Sequence, residues 1–143
     1  MYLKQLSIFV ENQSGRLADI AEIISSAGID IRAISVADTS DFGILRLIVD
    51  RPDEAKELLS SKGLTVSLTD VIAVSIADKP GEFARVLRVL FVAGIAVEYM
   101  YAFITRNEDN AYVILRVADN EKASAVITDA GMSLLDPHTV YNM

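Results

Sequence analysis

The chain has 143 residues, 52% of them hydrophobic and 23% charged, with only three prolines and seven glycines, a composition that packs a core and excludes a disordered polymer. Thirteen basic residues against twenty acidic ones leave a net charge of −7, which opposes the counterion release behind nucleic-acid binding and argues against anionic membranes as partners. With no cysteine, disulfides, thiolate metal sites and a thiol nucleophile are excluded together.

The N-terminus, Met1 to Glu11, lacks the basic patch and apolar run of a signal peptide, and the most apolar window, Val86 to Ile104, is broken by Arg88 and Glu98. A cytoplasmic protein is the expectation. Leu6, Ile8 and Val10 alternate with Gln5, Ser7 and Phe9 in the period-two pattern of a half-buried strand. Leu17, Ile20, Ala21, Ile24 and Ala27 then recur at helical spacing, with Ser14 expected as the cap and Gly28 as the stop. Ile29 to Ala37 and Phe42 to Val49 read as strands joined by a turn at Asp38 to Asp41. Pro52 to Lys62 is a second helix stopped by Gly63, and Leu64 to Leu68 a closing strand.

The same order then repeats. Ser14-Gly15-Arg16-Leu17 matches Pro80-Gly81-Glu82-Phe83, and Ala27-Gly28-Ile29 matches Ala93-Gly94-Ile95, both at an offset of 66. Ile44-Leu45-Arg46 matches Ile114-Leu115-Arg116 at an offset of 70, which places a four-residue insertion in the loop Arg106 to Asn110. The second copy is therefore read as a strand at Val71 to Ala77, a helix at Gly81 to Ala93 and strands at Ala96 to Thr105 and Ala111 to Val117. A helix at Glu121 to Ala130, a strand at Met132 to Leu135 and an irregular tail complete it. The fold class is α+β: two ferredoxin-like βαββαβ modules, residues 1–69 and 70–143, each with its helices on one face of the sheet.

Enzyme chemistry is hard to assemble from these residues. The one histidine, His138, reads as a solvated tail residue with no nucleophile elbow to serve, and Asp19, Glu22, Asp53, Glu54, Glu57 and Glu121 occupy outward or first-turn helix positions. No catalytic residue, cofactor or metal is expected. What recurs is the turn before the first helix of each copy, Asn12-Gln13-Ser14-Gly15-Arg16-Leu17 and Asp78-Lys79-Pro80-Gly81-Glu82-Phe83. A helix start offers free N–H groups to a carboxylate, glycine lets the backbone come close, and the Asn12 or Asp78 oxygen can accept from an ammonium group. Read alone, either turn is equally a good turn followed by a good cap.

Together with Gly28-Ile29-Asp30-Ile31 and Gly94-Ile95-Ala96-Val97, these turns resemble the signature of the ACT domain, the small-molecule regulatory module of amino-acid biosynthetic enzymes. Ala96 departs from that signature, which has a polar residue there. The resemblance implies a stand-alone, non-enzymatic tandem protein that binds a free L-amino acid at a seam between domains and senses or regulates, alone or through a partner enzyme. It implies that each turn faces the second strand of the other copy, at Ile34 and Ser35 within Ala33 to Val36, and at Met100 and Tyr101 within Tyr99 to Phe103. A ligand-free assembly module is the alternative. Val89 and Val92, outside the core stripe expected of Phe83, Val86, Leu87 and Leu90, and the apolar helix-free sheet faces (Phe9, Ile44, Ile48, Tyr112, Ile114) point to self-association as a homodimer.

Overall fold

The computed structural model describes residues 2–11, 13–38, 41–104 and 109–143. The chain divides into two compact units, one of Lys4–Thr69 with Tyr141–Met143, the other of Asp70–Val140 with Tyr2 and Leu3.

In the first unit, β1 (Leu3–Glu11) is followed by α1 (Arg16–Ser26), β2 (Ile31–Asp38), β3 (Phe42–Val49), α2 (Pro52–Ser61) and the opening residues of β4 (Thr65–Ala77). The strands lie in the order β2-β3-β1-β4, with β3 antiparallel to both β1 (Ile8 opposite Leu45) and β2 (Ile34 opposite Leu47). Leu6, Ile8, Val10, Leu45 and Leu47 from the strands share one buried cluster with Ile20 and Ile24 of α1 and Ala55 and Leu59 of α2, so both helices cover the same face. The alternation expected of β1 holds from Leu6 to Val10, where Phe9 is exposed, but Gln5 is buried with its amide donating to Ser7 Oγ at 3.0 Å.

The second unit repeats this plan with the rest of β4, α3 (Glu82–Val92), β5 (Val97–Ala102), β6 (Asn110–Val117), α4 (Asn120–Asp129) and β7 (Ser133–Leu134). Its order is β7-β4-β6-β5, which is the order of the first unit copied strand for strand. The βαββαβ reading of both copies is therefore correct, and the fold is α+β and ferredoxin-like. The closing strand of one copy and the first strand of the next form the single 13-residue strand β4, with no break at Thr69-Asp70. The insertion expected at Arg106 to Asn110 falls mostly outside the described residues.

All four principal helices stop in one way. Gly28, Gly63, Gly94 and Gly131 take φ between 72° and 86°, and the apolar residue after each donates back to the last turn: Ile29 to Ile24 O, Leu64 to Leu59 O, Ile95 to Leu90 O and Met132 to Ile127 O. These pairs of bonds are Schellman stops, which only a residue tolerant of positive φ allows. Two expectations are corrected. The tail is not irregular, because Pro137 opens a short helix, α5 (Pro137–Tyr141), whose fixed proline φ suits a first helical position and whose Val140 is fully buried. On α3 the core stripe narrows to Val86 and Leu90, while Phe83 and Leu87 lie partly exposed on its flank.

Candidate ligand-binding site

The repeated turns have matching geometry. Gln13 N donates to Glu11 O at 2.8 Å and Arg16 N to Gln13 O at 3.3 Å; in the second copy Lys79 N donates to Ala77 O at 2.9 Å and Glu82 N to Lys79 O at 3.4 Å. The residue at each helix cap is glycine in the left-handed region, Gly15 at φ 87° and Gly81 at φ 95°. Ser14 was expected to cap α1 and does not: the helix begins one residue later, and neither cap carries a side-chain hydrogen bond. The first bonds inside the helices run from Asp19 N to Gly15 O and from Arg85 N to Gly81 O. The amides of Leu17 and Ala18, and of Phe83 and Ala84, precede those bonds and point out of the helix start. A Cβ built on either cap glycine meets nothing within 4 Å, so the approach to these amides is open.

Beneath each turn lies an apolar cavity. In the first copy Leu17, Ile20 and Ile24 of α1, Ile34 and Val36 of β2, and Leu45 and Leu47 of β3 enclose about 50 Å³. In the second, Phe83 and Val86 of α3, Met100 of β5, Val74 and Ile76 of β4, and Val113 and Leu115 of β6 leave about 10 Å³. Phe83 is larger than Leu17 and the unbranched Met100 reaches farther than Ile34, their counterparts 66 positions earlier, and less space is left open. Thus the structure brings each turn together with the second strand of its own copy, Leu17 with Ile34 and Phe83 with Met100.

Ser35 and Tyr101, the next residues along those strands, lie on the opposite face of the sheet, as the two-residue period requires, and line neither cavity. Tyr101 stacks on Tyr99 with ring centroids 6.4 Å apart. Gln13, Ser14, Lys79 and Pro80 are exposed on the turns. Arg16 pairs with Glu11 at 3.5 Å, Glu82 with Arg85 at 3.7 Å, and the Asp78 amide donates to Asp109 O at 3.0 Å. Asn12 lies outside the described residues. Sequence reasoning passed over Ile20 and Val86 as cavity walls, having placed them only in the core; their sequence signal is the matched position, one turn after Leu17 and Phe83. Among the described residues no group of three or more histidine or acidic side chains is placed to hold a metal ion.

The chain is thus two ferredoxin-like units in tandem, each with a glycine-capped helix start over an apolar cavity. The chain belongs to the ACT domain pair family, whose model matches residues 1–143. It is similar over its whole length to a protein of Bacteroides thetaiotaomicron of known crystal structure, at 38% identity and a TM-score of 0.92, covering 98% of that chain. It matches the acetolactate synthase small subunit of Buchnera aphidicola at 26% identity over 109 residues, 76% of this chain and 69% of that one. The ligand-free regulatory subunit of aspartate kinase from Thermus thermophilus shares the fold, with a TM-score of 0.67, 21% identity, and 89% of this chain and 91% of that one covered. No described helix is long and apolar enough to cross a membrane.

Proposed function

We propose that this protein is a non-enzymatic sensor of a free L-amino acid, acting in the cytoplasm on amino-acid metabolism, by itself or through a partner enzyme. The observation that carries the reading is the duplicated pairing of a glycine-capped helix start with an apolar cavity. The amides of Leu17 and Ala18 are donors for a carboxylate at the positive end of the helix. The cavity walled by Leu17 and Ile34 takes the first carbons of an apolar side chain. The first copy is the better site, because its cavity is the larger.

Thermal unfolding of the full chain against each L-amino acid tests this. A ligand at one hundred times its Kd stabilises the folded state by about 2.7 kcal/mol, a rise of several degrees in Tm. A shift with one amino acid or a related group is expected. No shift with any would sink the proposal and leave the reading of a ligand-free assembly module, which the smallness of both cavities favours.

A further inference from the structure

The two copies differ at their closing strand. In the first, that strand runs on without a break as the 13-residue β4. In the second, β7 has only two residues, and Leu135 N makes a last bond to Ala73 O of β4, at 2.8 Å, before Asp136 and Pro137 lead the chain away. Proline has no N–H to donate, so the ladder cannot continue through it. Beyond that point stand Tyr2 and Leu3, at the start of β1, which neighbours β4 and at this end belongs to the second unit. Between them and β7 lies a cavity of about 310 Å³ against Val71 to Ala73. It is about six times the size of the cavity under the first turn and falls at the lower end of the range that ligand pockets span.

The adjoining helix departs from the repeat as well. Helices α2 and α4 begin 68 positions apart, at Pro52 and Asn120, and Ala55 and Leu59 match Ala123 and Ile127, all buried. Where the first copy has the exposed Lys56, the second has Ser124, half-buried in the cavity wall. A mid-helix serine ordinarily turns its hydroxyl to water or to the carbonyl four residues back. The Ser124 hydroxyl has neither, being shut off from water and without a hydrogen-bond partner. Such an unpaired buried group is uncommon in a native fold.

We infer that this cavity is a binding site for a small apolar amine, separate from the two turns. Leu3, Val71, Leu134 and Pro137 supply apolar wall for the body of the molecule. Among the described residues that line the cavity, Asp136 is the only charged one, and it is exposed at the rim, where its carboxylate can pair with an ammonium group. The net charge of −7 also draws cations toward the chain. A carboxylate is poorly served here: no Lys, Arg or His is among the lining residues, Leu135 N is already given to Ala73 O, and Pro137 has no N–H. A free amino acid therefore suits the turns and not this cavity.

Calorimetry of the full chain with butylamine, hexylamine and phenethylamine tests the inference. At least one should bind, and the matching neutral alcohol should bind about tenfold more weakly or worse, as expected of a lost charge-assisted hydrogen bond. Asp136→Asn should weaken the amine by a similar factor and leave the alcohol unchanged. Ser124→Leu, which crowds the cavity and removes a hydroxyl that has no partner to lose, should abolish binding while Tm is kept. Leu17→Phe with Ile34→Met, which narrows the first turn's cavity, should leave amine binding intact, so failure here is distinguishable from failure of amino-acid sensing. No binding by any of the three amines, equal binding of amine and alcohol, or undiminished amine binding by the Asp136→Asn or Ser124→Leu chain would each overturn the inference.

Discussion

Gly81 holds φ at 95° with open space where a side chain would stand, so its conformation, and not crowding inside the chain, is what calls for glycine. A β-branched residue held in the left-handed region costs on the order of 1–3 kcal/mol. We therefore expect Gly81→Val to lower the unfolding free energy by that amount, read from denaturant melts, and Gly81→Asn, which tolerates left-handed backbone, to lower it clearly less. If both variants matched the parent, the left-handed cap would be unnecessary for folding. Asp119 is the opposite kind of cap, since its side chain accepts from Lys122 N at 3.0 Å where the glycine caps offer no side chain. Asp119→Ala should cost about 1 kcal/mol, measured in the same way. The contrast separates the start of α4, closed by its own cap, from those of α1 and α3, which leave their amides open.

At the scale of elements, the first copy's cavity is set by two side chains that the second copy has already replaced. Installing Leu17→Phe and Ile34→Met in the first copy should fill part of its roughly 50 Å³. With about 24 cal/mol per Å³ of cavity, the folded state gains at most about 0.5 kcal/mol if the new groups seat without strain. The amino-acid-dependent rise in Tm should fall in the same variant; a stabilised protein that keeps its full ligand response would place the ligand elsewhere. The helices, their stops and the strand order were legible in the sequence because glycine at a fixed offset and apolar periodicity are local signals. Ser14 misled because serine is a common cap and the positive φ of Gly15 leaves no trace in composition. Ser35 and Tyr101 line neither cavity, because the pleat decides which residue of a strand faces the helix and a resemblance names only a stretch of strand. The short helix after Asp136 was missed because five residues are too few for a period to register.

Over the whole molecule, the units exchange their ends: Tyr2 and Leu3 belong with Asp70–Val140, and Tyr141–Met143 with Lys4–Thr69. Tyr141 serves the first unit twice, its hydroxyl accepting from Lys4 N at 2.9 Å and its carbonyl accepting from Arg32 Nη2 at 3.3 Å. Arg32 is itself nine-tenths buried and paired with Asp30. A chain ended after Val140 leaves that guanidinium without its carbonyl partner, and we expect a loss of about 1–3 kcal/mol, read from thermal or denaturant unfolding. Tyr141→Phe removes the hydroxyl alone and should cost about 1 kcal/mol; equal losses from the two changes would show that the carbonyl of Tyr141 contributes nothing.

This arrangement also bears on the order in which the protein matures on the ribosome. Lys4 to Thr69 emerge early and hold nearly all of the first module's core, yet the residue that supplies partners to Lys4 and Arg32 comes after the entire second module. At about 5–20 residues per second, roughly four to fifteen seconds separate the synthesis of Thr69 from that of Tyr141. During that interval the first module is a core still missing its last contacts, and Arg32 waits with its carbonyl partner unmade. Completion of the module translated first thereby waits for the synthesis of Tyr141, so a nascent chain interrupted within the second module leaves both modules open to quality control.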